Sequence, residues 1–203
     1  MYKTNHYREN NRDVLLNFMR QYYFAVLVAN GEEYPVCTHL PLEIIDNNGK
    51  IILRGHMMKD SDHYRQLLKE KNVLAVFNGP DCYVSASWYA APPQASTWNY
   101  MTVHAAGTLT FQNAEETKAA VKRITDQHEG LESHAAFDKL PAGYVDKMVP
   151  HIVAFEIEIM SLENVFKLSQ NQSTETRKNI IEALNRQDAD DSRAIAGEIR
   201  KRL

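Results

Sequence analysis

Apolar residues at helical spacing open the chain: Val14, Leu15, Phe18 and Tyr22, with Asp13 placed to cap them. The pattern then turns strand-like. Residues 24–28 form a short continuous apolar run, the mark of a buried strand. Asn30-Gly31 follows, a pair that tolerates positive φ at both centres of a tight hairpin. The return strand reads over 35–45, a second hairpin turn over Asp46-Asn47-Asn48-Gly49, and a third strand over 50–57. Strands joined by tight turns must be antiparallel, because parallel neighbours need a long crossover.

A helix is predicted over 60–71, with Tyr64, Leu67 and Leu68 on one face. Two strands, 73–77 and 82–89, flank a turn at Asn78-Gly79-Pro80-Asp81. Over 100–111, Val103, Ala105, Gly107, Leu109 and Phe111 alternate with His104, Ala106, Thr108 and Thr110. The 90–96 segment, with Pro92-Pro93, is a loop. Residues 114–129 are helical, and 155–159 alternate as a strand with one wet face. Ser173 or Thr174 caps a helix carrying Ile180, Ile181 and Leu184, and Ile195, Ile199 and Leu203 mark a last one. About seven strands in hairpin connectivity and four or five helices predict a mainly β protein with flanking helices (α+β), its sheet closed or partly closed into a barrel. Residues 1–172 form the barrel domain and 173–203 a C-terminal helical appendage. No repeat or low-complexity segment interrupts this reading.

Composition removes several classes. Among 203 residues there are 8 Gly, 7 Pro and 2 Cys, too few for a collagen-like, disordered or disulfide-stapled chain. Cys37 and Cys82 read as free buried thiols in a reducing compartment. The first residues lack the apolar run of a signal peptide, so a cytoplasmic protein without a membrane span is expected. A net charge of −3 does not forecast a strong generic polyanion binder, though it leaves room for a local basic patch, and Arg200-Lys201-Arg202 reads as a solvated helix end.

The phosphate-binding, nucleophile-elbow and H-E-x-x-H signatures are all absent. No catalytic residue is assigned. What stands out is polar and aromatic chemistry inside predicted strands: Thr38-His39-Leu40-Pro41, Arg54-Gly55-His56 with Lys59, residues 85–89, Thr97-Trp98-Asn99-Tyr100 with His104, and Lys167-Leu168-Ser169-Gln170-Asn171. Burying such groups costs several kcal/mol, by order of magnitude, unless they find partners. Glycine inside a strand marks the close approach of a ligand or another backbone. Arg54, Gly55, His56 and Lys59 would set a cation and exposed amides where a strand gives way to a helix, a seat for an anion such as phosphate. The alternative is a polar barrel rim with satisfied hydrogen bonds. Cys37, His39, His56 and His104 are of metal-binding type, but their spacing is not diagnostic and no metal is expected. Trp88, Tyr89, Trp98 and Tyr100 suit a flat ring system or a subunit interface equally.

In order, these blocks resemble the PaiB family of FMN-binding split-barrel proteins, described as negative transcriptional regulators. The matching elements are Met1-Tyr2 with His6-Tyr7-Arg8-Glu9, Thr38-His39-Leu40-Pro41-Leu42, Arg54-Gly55-His56, Phe77-x-Gly79-Pro80 and Tyr83-Val84-Ser85-x-Ser87-Trp88-Tyr89. The most specific are Thr97-Trp98-Asn99-Tyr100 with Val103-His104, and Lys167-Leu168-Ser169-Gln170-Asn171. The resemblance implies a six-stranded antiparallel split β-barrel of the pyridoxamine phosphate oxidase type, a homodimer, and FMN at the subunit interface. It implies cofactor contacts from Thr38, His39, Arg54, Gly55, His56, Lys59, Trp98, Asn99, Tyr100, Lys167, Ser169 and Gln170. DNA enters as a partner only through the family's description. The chain departs from the family at Ser61-Asp62, where Asn-Pro is usual, and at Ala95-Ser96 in place of Val-Pro. Two other functions remain open on the same fold: a flavin-dependent oxidoreductase, and a barrel dimer that has lost FMN or holds haem.

Overall fold

The computed structural model describes Met1 and residues 4–91 and 94–203; Tyr2 of the first matching element and Pro92-Pro93 of the 90–96 loop lie outside the described residues. Helix α1 (Arg12–Gln21) precedes strands β1 (Phe24–Ala29), β2 (Val36–Pro41), β3 (Glu43–Asn47) and β4 (Lys50–Met58). Helix α2 (Asp62–Lys69), the long strands β5 (Asn72–Val84) and β6 (Thr97–Phe111), and helices α3 (Ala114–Glu129) and α4 (Ala142–Met148) follow. Strand β7 (Ile152–Lys167) and helices α5 (Thr174–Asn185) and α6 (Asp190–Arg200) complete the chain.

The seven strands form one sheet in the order β2-β1-β5-β6-β7-β4-β3. The β1–β2, β1–β5, β3–β4 and β4–β7 pairs are antiparallel. Its two outermost strands, β2 and β3, are separated in sequence by Leu42 alone. Consecutive strands can lie at opposite edges only if the sheet curls, so the sheet is a split barrel. The expected return strand over 35–45 breaks at Leu42, whose N–H donates to Tyr23 O at 2.9 Å and whose side chain is buried. That break gives seven strands rather than six.

Two turn expectations are corrected. The β1–β2 register runs from Phe24↔Pro41 to Ala29↔Val36, leaving a six-residue loop over 30–35 instead of a two-residue turn at Asn30-Gly31. Neither residue takes positive φ; Asn30 instead donates to the Glu70 carboxylate. The turn at Asn78–Asp81 does not form. β5 runs straight through, and its buried positions switch from Val73, Ala75 and Phe77 to Pro80, Cys82 and Val84. That change of parity is the mark of a bulge. The strand then stops at Val84, where Ser85 caps a 3-10 turn over Ala86–Trp88, short of the expected end at 89. Asn48 and Gly49, at φ 51° and 88°, make the second hairpin turn as expected.

The helices follow their caps. Asn11, not Asp13, caps α1 by accepting from the N–H groups of Asp13 and Val14. Ser61 caps α2, and its buried face is His63 and Leu67; Leu68 is exposed. Asn113 and Glu116 form a reciprocal capping box at the start of α3. Helix α4 was not anticipated; Val145 and Val149 pack with Val121, Phe137 and Ile152.

The chain divides into two compact units. One comprises Met1–Tyr22, Phe77–His104 and Glu163–Leu203, with Met19, Val84, Leu168, Ile180, Leu184, Ile195 and Ile199 at its core. Leu203, expected beside Ile195 and Ile199, is exposed. There Arg177 of α5 donates to the carbonyls of Ile199 and Arg202, satisfying the C-terminus of α6. The other comprises Tyr23–Val76 and Ala105–Leu162, built on Leu27, Leu53, Leu67, Ala75, Leu109, Phe155 and Ile157. Among the described residues, no helix is long and apolar enough to cross a membrane.

Candidate functional site

The expected site residues fall six in each unit. In the unit holding β1 to β4 they are Thr38, His39, Arg54, Gly55, His56 and Lys59. Strand alternation puts Arg54 and His56 on the face of β4 opposite the buried Leu53 and Met57. Arg54 Nε donates to Glu156 Oε1 at 2.6 Å, directly across on β7, so this guanidinium already has a carboxylate partner. Gly55 lies opposite Phe155, and a Cβ there would stand 2.6 Å from that ring and 3.0 Å from Leu42. The close approach foreseen at Gly55 is thus made by an aromatic ring of the neighbouring strand. Lys59 leaves β4 with its N–H donating to His151 O at 2.9 Å. His39 points outward from β2, its ring 6.5 Å from that of Phe24. Thr38, on the other face of β2, has its Oγ1 2.8 Å from His63 Nδ1. Asp62 accepts from the His63 N–H at 2.7 Å. The Ser61-Asp62 departure therefore caps and opens α2.

In the other unit, Asn99, Lys167 and Ser169 meet around a cavity of about 370 Å³, within the range of small-molecule sites. Tyr7, Tyr89, Thr97, Ser96 and the amides of Gln94, Asn171 and Gln172 also line it. Asn99 is wholly buried and its Nδ2 donates to Ser169 Oγ at 2.9 Å. Ser169 sits at φ 59°, a left-handed conformation that a serine adopts at a cost. Gln170 holds that turn: its Oε1 accepts from the Leu168 N–H at 2.7 Å and its Nε2 donates to Phe166 O. Lys167 Nζ donates to Thr97 Oγ1 and stands 6.0 Å from the Tyr7 ring centroid. Burial holds its ammonium below the ordinary lysine range. Trp98 and Tyr100 alternate away from Asn99; Trp98 is 54% exposed and packs edge-on against Tyr83.

The sequence reading missed His63, which is fully buried with its Nε2 unpartnered. Its spacing four before Leu67 was the available signal. Among the described residues, no three His, Cys, Asp or Glu side chains cluster as a metal site. Cys37 is exposed, contrary to expectation, whereas the Cys82 thiol is pushed up to about 12 by burial and stays protonated.

Residues 1–161 match the model of a family described as "Putative FMN-binding domain". The chain belongs to this family. It is 26% identical over 197 residues to the protease synthase and sporulation protein PAI 2 of Bacillus subtilis, covering 97% of this chain and 95% of that protein. Two solved structures share the fold. An FAD- and haem-binding protein from Mycobacterium smegmatis matches with TM-score 0.59 and 14% identity over 78% of this chain and 72% of its own. The flavocytochrome Anf3 from Azotobacter vinelandii matches with TM-score 0.53 and 11% identity, over 80% and 74%. FMN is the cofactor of this FMN-binding chain.

The residues fit that cofactor. FMN brings a phosphate dianion, a hydroxylated chain and a flat ring rich in acceptors. The cavity at Lys167 offers one cation, hydroxyls and amides, and none of its described lining residues is acidic. In the other unit, Thr38 is half-buried on β2 and adds a hydroxyl whose oxygen lies 2.8 Å from His63 Nδ1.

Burial also sets a pH dependence. His56, His63 and His104 are all held below the ordinary histidine value of 6.5, chiefly by desolvation. As pH falls through that value the unfolded chain binds more protons than the folded one, so stability falls; well above it these groups contribute no slope. The melting midpoint should drop between about pH 7 and pH 5.5, with a smaller drop in a His63→Phe variant. A flat profile across that window would contradict the burial of these rings.

Proposed function

We propose that this chain is a homodimeric FMN-binding sensor or regulator of the PaiB type. The observation that carries the reading is the cavity at Lys167, where a partly desolvated ammonium lies among hydroxyl and amide groups of the described lining residues. When bound, the flavin supplies one- and two-electron redox chemistry; the protein supplies position and field. In this reading Lys59 faces the phosphate, and Arg54 joins it only by sharing its guanidinium with Glu156. Backbone amides at Thr38-His39 and Gly55-His56 hold the ring edge. At the subunit interface the second chain of the dimer supplies Trp98, Asn99, Tyr100, Lys167, Ser169 and Gln170. The regulatory role is supported by the Bacillus subtilis relative, whose name ties it to protease synthesis and sporulation. The dimer is supported by Tyr83 and Trp98, an aromatic pair half-exposed in the single chain, of the type enriched at interfaces.

The test is an absorbance spectrum after FMN is added and the protein desalted, together with its mass in solution. One flavin per chain in a dimer, without oxidation of reduced nicotinamide, is the expected result. Steady nicotinamide turnover would make the protein an oxidoreductase instead. A colourless protein would remove the flavin reading altogether.

A further inference from the structure

His63 has two ring nitrogens and one visible use. Its position is set locally: Ser61 Oγ accepts from the Tyr64 N–H, Asp62 accepts from the His63 N–H, and Leu67 continues the buried face of α2. The imidazole is completely buried, its Nδ1 lies 2.8 Å from Thr38 Oγ1, and its Nε2 has no partner. Burial keeps the ring neutral, so it carries one proton. On Nε2 that proton would be a buried N–H without an acceptor, the rarer kind of unsatisfied group. On Nδ1 it is donated to Thr38, and only a bare ring nitrogen is left over.

The second arrangement has a consequence for Thr38, which is half-buried on β2. A hydroxyl that accepts from His63 keeps its own proton for another acceptor. We propose that His63 is a positioning residue of the flavin site, its Nδ1–H holding the Thr38 oxygen so that the hydroxyl proton is donated to an acceptor atom of bound FMN. This rests on the FMN reading above and adds to it a residue that would act through Thr38 without touching the cofactor.

The experiment is a double-mutant cycle on FMN affinity, read by quenching of flavin fluorescence, with melting midpoints alongside. Thr38→Val and His63→Phe should each weaken FMN about tenfold, and the double variant no more than Thr38→Val alone. The flavin midpoint potential should move in the same direction in both single variants and no further in the double. His63→Asn, whose amide can occupy the Nδ1 position, should restore binding, whereas His63→Gln should not. That pair carries the test should the Phe variant fail to fold. Additive losses, near a hundredfold in the double variant, would overturn the proposal, as would wild-type affinity in His63→Phe. Wild-type affinity in Thr38→Val would overturn it while leaving the FMN reading standing. Failure of the unmodified protein to bind FMN would overturn both.

Discussion

Replacing Lys167 with methionine is expected to weaken FMN binding about 30-fold and to leave the melting midpoint unchanged or slightly higher. Loss of a hydrogen bond from a charged donor is worth about 1.5–3 kcal/mol, which spans roughly ten- to a hundredfold in affinity. Lys167 is the last residue of β7, and its ammonium is partly desolvated beside Thr97 and Tyr7. Burial therefore disfavours the charge in the free protein, and a nearby anion or acceptor would relieve that. Methionine keeps the length of the stem and removes the desolvation cost, which is why affinity and stability should part company. Lys50→Met is the control. Its ion pair with Glu158 is exposed, so both measurements should stay close to wild type. Unchanged FMN affinity in Lys167→Met would take Lys167 out of the site and with it the cavity's role.

Gly107→Ala should cost about 3 kcal/mol and lower the melting midpoint by roughly 6–12 °C. Gly107 lies within β6, and a Cβ there would run into the backbone carbonyl of Glu158 on β7, with Ile157 Cγ2 at 3.0 Å. Backbone inside a sheet cannot step aside as a side chain can. At Gly55 the added atom meets the Phe155 ring, which can tilt, so Gly55→Ala should cost less. Gly197→Ala is the opposite case. Beyond its chain neighbours and the backbone of α6 itself, no atom lies within 4 Å of its added Cβ, and the helix should gain about 0.5–1 kcal/mol. A Gly107→Ala variant as stable as wild type would mean that β6 and β7 do not pack as closely as Gly107 and Glu158 indicate.

Local chemistry made much of the fold legible. The bounds of α3 follow from its period, the second hairpin turn from Asn48-Gly49, and the inward face of β6 from strict alternation over 103–111. Local chemistry also misled where a distant partner overrode it. Asn30-Gly31 reads as a tight turn, yet Asn30 is held by Glu70, forty residues away. Asn78-Gly79-Pro80-Asp81 reads as a turn, yet Thr102 of β6 donates to Phe77 O at 3.0 Å and to Asn78 Oδ1 at 3.1 Å, and Gly79 lets the Phe18 ring lie against the strand. At the site, the blocks Thr-Trp-Asn-Tyr and Lys-Leu-Ser-Gln-Asn were visible as unusual. That Asn99 turns inward to Ser169 while Trp98 turns outward depends on which face of β6 is buried. Arg54 could be read as a free cation because Glu156 lies 102 residues further along the chain.

The antiparallel barrel class, the family and the unusual polar blocks inside the strands are legible in the sequence, because period, turn chemistry and ordered motifs are local properties of the chain. How those blocks pair is set by the fold: Arg54 with Glu156, the Phe155 ring against Gly55, Asn99 with a left-handed Ser169, and a buried His63 against Thr38. The physical reason is that hydrogen bonds, ion pairs and burial act over a few ångströms in space. Strand pairing and helix packing bring together residues that the sequence keeps 25 to 102 positions apart.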